Sequence, residues 1–125
     1  MKRLFLILAL LPIALLFTSC KEKNTPQQDT NEYYVRYTIK SSWYVFGNVS
    51  YGDVNGTSYD LTGQKKNSWS VTIGPVKKGF NAWSRNDMGT GTNSANHTIE
   101  VSKNGDPFAQ KATGINSASY KIISN

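Results

Sequence analysis

The chain has 125 residues, a formal net charge of +6 and a single cysteine. This length suits one folded domain with short appended segments. One cysteine cannot form an internal disulfide, and the basic residues are scattered apart from the pairs Lys65-Lys66 and Lys77-Lys78, so the sequence predicts neither a disulfide-stabilised scaffold nor a nucleic-acid-binding surface.

The N-terminal segment has the pattern of a secretory signal. Lys2 and Arg3 are basic, residues 4–17 form an uncharged apolar stretch, and small polar residues precede Cys20. The apolar stretch is shorter than the roughly 18 residues that a membrane-spanning helix needs, and the three-part pattern is typical of an exported protein. We therefore predict a signal peptide at residues 1–19.

The ending Thr18-Ser19-Cys20 resembles the lipobox of bacterial lipoproteins. This resemblance implies that Cys20 is acylated through its sulfur and becomes the mature N-terminus. Acyl chains contribute about 0.8 kcal/mol per buried methylene, and two or more of them give stable attachment to a membrane. Lys21, in place of an aspartate after the cysteine, favours an outer membrane in cells that have one. The expected location is the bacterial cell envelope, with the protein anchored by lipid.

The segment after the cysteine is strongly polar, because residues 21–32 contain no apolar side chain except Pro26. This polarity argues against the alternative that Cys20 is a buried thiol at the end of a core helix. A segment that cannot bury apolar surface does not offset the entropy of ordering. We therefore predict a lipidated cysteine and flexible tether at residues 20–32, followed by one folded domain at residues 33–125.

From Tyr33 onward the chain alternates apolar and polar residues, as in Tyr33-x-Val35-x-Tyr37-x-Ile39. Period-two alternation indicates a half-buried antiparallel strand. Comparable short runs recur at the spacing expected of a sandwich or barrel. The sequence predicts eight strands near residues 33–40, 44–52, 57–62, 68–74, 79–85, 97–102, 107–112 and 118–123.

Turn residues and alternation together predict the architecture. Asn55-Gly56 and Asn104-Gly105 can adopt the positive φ angles of tight hairpin turns. The expected fold is an all-β, single antiparallel domain of about 7–8 strands, a β-sandwich or a barrel. The side chains predicted to form its core are Tyr33, Val35, Tyr37, Ile39, Val45, Val49, Trp69, Val71, Ile73, Phe80, Ala82, Ile99, Val101, Phe108, Tyr120 and Ile122.

Residues suited to catalysis or metal binding are sparse. His97 is the only histidine, and we predict that it lies on the surface of its strand. Asp53 and Asp60 flank a predicted hairpin turn, where aspartate is common for backbone reasons, and the segment that begins at Asp53 departs from the EF-hand calcium pattern. We expect no cofactor, no metal site and no enzymatic activity, although a hydrolytic carboxylate pair stays open as a third reading.

Aromatic residues are the stronger functional signal. Strand parity points several of them away from the core, and exposed flat rings can stack on sugars or anchor a protein partner. Aromatic side chains also suit a pleated sheet without any binding role, so that alternative stays open. The candidate binding aromatics are Trp43, Tyr44, Phe46 and Trp83, with Tyr34 as a further outward ring.

Residues 33–123 also resemble the MmpS family and related short lipoproteins. The resemblance rests on the opening alternating strand, the pair Trp69-x-Val71 running toward Gly79, and the string Ile99-x-Val101-x-x-x-Gly105-x-x-Phe108. It implies a small immunoglobulin-like sandwich that serves as a membrane-tethered, non-catalytic accessory of an exporter.

The sequence thus predicts a lipid-anchored envelope protein that acts as a non-catalytic binding or accessory module, in an export or envelope complex. Its expected partners are a membrane, through acyl chains on Cys20, and an envelope protein; no nucleic acid is expected. The alternative is a surface glycan-binding lipoprotein that uses its exposed aromatic residues.

Overall fold

The computed structural model describes residues 26–41, 48–60, 67–86 and 94–123. Within these ranges the secondary structure consists of strands. No helix among these residues is long and apolar enough to cross a membrane. The strands are β1 (Tyr33–Lys40), β2 (Val49–Asp53), β3 (Gly56–Asp60), β4 (Ser68–Val76), β5 (Asn81–Asn86), β6 (Asn96–Lys103), β7 (Ala109–Ile115) and β8 (Ser117–Lys121).

The eight strands form two four-stranded sheets with the orders β4-β1-β6-β7 and β3-β2-β5-β8. Every pair of neighbouring strands is antiparallel. The inner faces of the sheets enclose one apolar core. This arrangement confirms the predicted all-β antiparallel sandwich.

Strand β1 shows how alternation specifies the fold. Its odd-numbered residues, from Tyr33 to Ile39, are all buried, with at most 4% of each residue exposed, whereas Lys40 at its end is exposed. The strand pairs with β4 on one side and β6 on the other. A central strand with one face on the core and one facing outward gives the alternating pattern seen in the sequence.

The core largely matches the one predicted. Eleven of its expected members are buried, Val71, Phe80 and Tyr120 are half-buried against them, and Val45 lies outside the described residues. Phe108 was predicted to be a core residue, and that prediction is wrong, because the ring lies beneath the Arg36 guanidinium. The buried apolar residues that were not predicted are Val76, Ala95 and Ala118.

The two predicted hairpin turns differ in detail. Asn104 and Gly105 have φ angles of 51° and 84°, as a type I′ turn between β6 and β7 requires. In the other hairpin Val54 and Asn55 form the turn, and Gly56, with a φ of 121°, is the first residue of β3. That turn therefore lies one residue earlier than Asn55-Gly56.

The chain enters β1 at the end of the sandwich where the β6–β7 hairpin turns. Asn104 N–H donates to the Glu32 carbonyl at 2.8 Å, and Glu32 N–H donates to Asn104 Oδ1 at 2.9 Å. Asn104 Nδ2 donates to Asn31 Oδ1 at 2.8 Å, and the Tyr33 hydroxyl donates to Asp29 Oδ2 at 3.2 Å. These bonds fix residues 29–32, the last part of the predicted tether, against the sandwich.

Candidate functional site

The structure describes one of the four candidate binding aromatics. Cys20, Trp43, Tyr44 and Phe46 lie outside the described residues. Trp83 lies in the middle of β5, and both of its neighbours in that strand, Ala82 and Ser84, are buried in the core. Alternation therefore directs Trp83 to the outer face of the β3-β2-β5-β8 sheet, as the sequence predicted.

A glycine on the neighbouring strand makes room for the indole. A methyl group added at Gly52 would come within 2.9 Å of both Trp83 Cδ1 and Nε1, so the ring edge lies directly above the β2 backbone. On the other side Trp83 is paired with Ser119 of β8. Because neither neighbour has a large side chain, neither one covers the ring, and Trp83 is half-buried.

A tyrosine from the opposite sheet supports this part of the face from inside the core. The Tyr37 hydroxyl donates to the Gly52 carbonyl at 2.8 Å and lies close to the Trp83 backbone. The paired residues of β2 and β5 run from Val49 opposite Asn86 to Tyr51 opposite Ser84, and stop before Gly52 and Trp83. The hydroxyl is thus bonded to β2 and lies against β5 where the pairing of these strands ends, and burial raises its pKa above the usual value for tyrosine.

The residues around Trp83 are small, polar or basic. Tyr59, 65% exposed, is paired with Ser50 on the outer face. It lies two strands from Trp83 and two residues along, at a Cα distance of about 12 Å from standard sheet spacings. The outward residues of this sheet, referred to below as the Trp83 face, are Ser50, Gly52, Thr57, Tyr59, Asn81, Trp83, Arg85, Ser117, Ser119 and Lys121.

The outer face of the other sheet carries an ion pair that sequence reasoning did not find. Arg36 Nε donates to Glu100 Oε2 at 2.6 Å, and Arg36 Nη2 donates to Oε1 at 2.9 Å. The guanidinium also lies 4.4 Å from the centre of the Phe108 ring. These hydrogen bonds hold the pKa of Glu100 below its usual value.

This ion pair lies in a shallow, open hollow of about 520 Å³ lined only by polar residues: Arg36, Thr38, Lys40, Ser70, Asn96, Thr98 and Glu100. Arg36 and Glu100 satisfy each other's charge, and the arginine side chain is 39% exposed. The hollow offers hydroxyl and amide groups but no aromatic ring for stacking. The Trp83 face is therefore the stronger candidate for a binding surface.

His97 occupies the core, which corrects the prediction that it lies on the strand surface. It is 1% exposed and lies between Ser84 and Asn86 of the opposite sheet. The Asn86 side-chain oxygen lies 2.7 Å from Nε2 and can only accept, so Nε2 carries the proton and the Ser84 hydroxyl donates to Nδ1 at 2.7 Å. Burial lowers the pKa of His97 to about 4.

A serine, a histidine and an asparagine joined by hydrogen bonds resemble the Ser-His-Asp and Cys-His-Asn arrangements of hydrolytic sites. Here each of the three residues is at most 2% exposed, so a substrate could not reach the Ser84 hydroxyl. The cluster is a polar link between the two sheets, and each of its members is hydrogen-bonded. Its position gives it a structural role.

The two aspartates considered for catalysis are not brought together. Asp60 is paired with Val49, four residues from Asp53 on β2, so the Cα atoms of the two aspartates are about 14 Å apart. The Asp53 carboxylate accepts from Val54 N–H and from the Ser58 hydroxyl, each at 2.7 Å. Asp60 accepts from Trp69 Nε1 at 2.7 Å. The described residues contain no cluster of three or more histidine, cysteine or acidic side chains that could hold a metal ion.

Comparisons with protein-family models, curated protein sequences and solved structures found no match to this chain.

Proposed function

We propose that this chain is a lipid-anchored protein of the bacterial cell envelope whose β-sandwich is a non-catalytic binding module. The Trp83 face carries this proposal, because it holds a half-buried indole between two small residues on a well-supported sheet. Aromatic side chains that are rigidly held and partly accessible are the usual anchors of binding surfaces. An envelope protein in an export or assembly complex is the first expected partner.

The position of the tether is consistent with this role. Hydrogen bonds fix residues 29–32 at the β6–β7 end of the sandwich, so the attachment to the membrane would approach from that end. The nine residue steps from Cys20 to Asp29 extend over about 30 Å at most. A sandwich attached at one end of its strands keeps both outer sheet faces clear of the attachment point.

The anchor is tested by replacing its cysteine. We expect the Cys20→Ala variant to lose fatty-acid labelling and to move from the membrane fraction to the soluble fraction, because no acyl chain can form on alanine. Metabolic labelling with an alkyne-bearing palmitate and fractionation of cells would measure both effects. Ser19→Ala, which keeps the thiol and a small residue before it, is the matched control. Membrane association unchanged by Cys20→Ala would contradict the proposal.

A second candidate function, glycan binding, is favoured by one specific feature of the Trp83 face. Gly52 and Ser119 leave the indole without a large neighbour on either side. The exposed ring of Tyr59 lies on the same face. Two aromatic rings on a face that also carries the hydroxyl groups of Ser50, Thr57 and Ser119 could stack on sugar rings while those hydroxyl groups bond to the sugar.

A further inference from the structure

We infer that the Trp83 face binds an acidic glycan, in which sugar rings stack on Trp83 and Tyr59 and carboxylate or sulfate groups pair with Arg85 and Lys121. This inference rests on the second candidate function proposed above and names its ligand class. Three observations support it: the charge of the face, the spacing of its residues and the contrast with the opposite face.

The described outward residues of the Trp83 face include two cations, Arg85 and Lys121, and no carboxylate. Both cationic residues are exposed. No described carboxylate lies within 4.0 Å of either one, since the ion pair found among the described residues joins Arg36 to Glu100. The acidic side chains of this sheet, Asp53 and Asp60, occupy inward-facing positions. An anion that approaches this face therefore meets positive charge that no described acidic group neutralises.

The spacing of these residues suits a chain of sugars. Trp83 and Arg85 are two residues apart on the same face of β5, which separates them by about 7 Å. One sugar ring stacked on the indole would place a charged group on the same ring or the next ring within reach of the guanidinium. The planar guanidinium can bind a carboxylate or sulfate through two parallel hydrogen bonds.

Lys121 extends the same positive strip. It is paired with Asn81, which is two residues before Trp83 in β5. The two cationic residues therefore lie on opposite sides of Trp83 along the strand direction. A glycan with a charge on successive sugars could contact Arg85 and Lys121 while its central ring lies on the indole.

The opposite face lacks this combination. Its arginine, Arg36, is already bonded twice to Glu100 and packed on Phe108. Its outward tyrosine, Tyr34, lies over Gly74 much as Trp83 lies over Gly52, since a methyl group at Gly74 would come within 2.7 Å of the Tyr34 ring. The two faces thus supply matched positions for a controlled test.

The test measures binding by calorimetry with the full mature lipoprotein in detergent micelles. The probes are oligogalacturonate and the same oligomer with its carboxyl groups methyl-esterified. We expect the acidic form to bind at least roughly tenfold more tightly, because a charge-assisted hydrogen bond is stronger than a neutral one. Arg85→Gln should remove most of that preference, and Trp83→Ala should weaken binding of both probes by roughly tenfold.

Variants of the opposite face provide the controls. Lys40→Gln removes an exposed cation there, and Tyr34→Ala removes an aromatic ring seated over a glycine. Neither variant should change the affinity for either probe. Thermal unfolding of all the variants would show that each one is folded under the conditions of the binding measurement.

The remaining outcomes separate this inference from the proposals on which it rests. Equal affinity for the two probes, lost in Trp83→Ala, would overturn the preference for acidic glycans and retain glycan binding. Binding reduced by Tyr34→Ala but unaffected by Trp83→Ala would overturn the assignment to this face. No binding of either oligogalacturonate probe, of alginate or of heparin would overturn both the inference and the glycan candidate. The lipid anchor would still be decided by the Cys20→Ala experiment.

Discussion

Lowering the pH from 7 to 4 should reduce the free energy of unfolding by on the order of 3 kcal/mol through His97 alone. The imidazole is buried in the core, and its pKa falls from an ordinary 6.5 to about 4. Between pH 6.5 and about pH 4 the histidine of the unfolded chain binds a proton that the histidine of the folded chain does not. The stability contributed by neutral His97 is therefore complete above pH 6.5, declines as the pH falls through that interval, and levels off below pH 4.

Carboxylates would change the free energy of unfolding over a different range of pH. The pKa of Glu100 is lowered by its hydrogen bonds with Arg36, and that of Asp29 by a hydrogen bond from the Asn31 backbone. Each of these groups stabilises the fold above its unfolded pKa and loses that effect as the pH falls through its folded pKa. Their contributions therefore change below the unfolded values near 4, whereas that of His97 begins to fall at pH 6.5.

Urea unfolding at half-unit steps of pH would measure this dependence. The chain has one histidine, so His97→Gln removes the imidazole contribution from the pH dependence of the free energy of unfolding. This variant should be less stable overall, and its free energy of unfolding should change little between pH 6.5 and 5. A proton NMR titration of the wild-type ring gives an independent reading if the variant does not fold. An imidazole pKa at or above 6.5 in the folded protein would contradict the prediction.

The position of His97 also shows what strand alternation can and cannot predict. His97 shares its parity with Ile99 and Val101, which are buried, and the signal for an inward position was therefore present in the sequence. The polar character of the residue outweighed that signal in our prediction. Its partners, Ser84 and Asn86, likewise share their parity on β5 with Ala82, which is buried.

Ser84 and Asn86 on β5 and His97 on β6 are polar residues at inward positions. Their burial is favourable only because the two strands face each other across the core, where the three side chains form hydrogen bonds. Residues 84 and 97 are separated by 13 positions, and nothing local to either strand indicates that they meet. Burial of an unpaired polar group costs roughly 1–3 kcal/mol, so each residue considered alone belongs on the surface. The pairing of the two sheets changes that conclusion.

The Trp83 face was predictable only in part, again because strand alternation does not indicate which strands are neighbours. Parity alone directed Trp83 outward, because that property belongs to a single strand. The glycine beneath its ring lies on β2, 31 residues away, and the paired serine lies on β8. The Arg36–Glu100 ion pair joins residues 64 positions apart. Contacts of this kind depend on strand order, which periodicity does not specify.

The error at Phe108 has a related cause. Alternation over the expected strand at residues 107–112 assigned Phe108 to the core. In the structure β7 begins at Ala109, and a register shift follows between Ile99 and Glu100 of its partner strand. Phe108 precedes the strand, outside its alternation, and its ring receives the Arg36 guanidinium.

Replacing Tyr37 by phenylalanine should lower the free energy of unfolding by roughly 1–3 kcal/mol and weaken the Trp83 face. The hydroxyl reaches across the core to donate to the Gly52 carbonyl, close to the Trp83 backbone. Its loss leaves the Gly52 carbonyl without that partner at the point where the pairing of β2 and β5 has ended. Each unsatisfied buried group costs roughly 1–3 kcal/mol, while the ring itself and its packing are retained.

Tyr33→Phe is the matched control, because Tyr33 is a buried tyrosine on the same strand and the same face. Its hydroxyl bonds Asp29 at 3.2 Å at the tether end of the sandwich and does not contact the Trp83 face. Chemical unfolding should show a smaller loss of stability for Tyr33→Phe than for Tyr37→Phe. Amide hydrogen exchange at residues 52 and 83 should become faster in the Tyr37 variant and stay unchanged in the control.

The two measurements together decide whether Tyr37 positions the binding face or only stabilises the fold. A general loss of stability would speed exchange throughout the sandwich in proportion to the change in the free energy of unfolding. A specific role predicts faster exchange at Trp83 under conditions in which exchange in β1 and β6 is unchanged. If protection at Trp83 persists in Tyr37→Phe, the hydroxyl does not hold β2 and β5 together beneath the indole. The support for the Trp83 face would then have to come from Gly52 and its neighbours on the sheet itself.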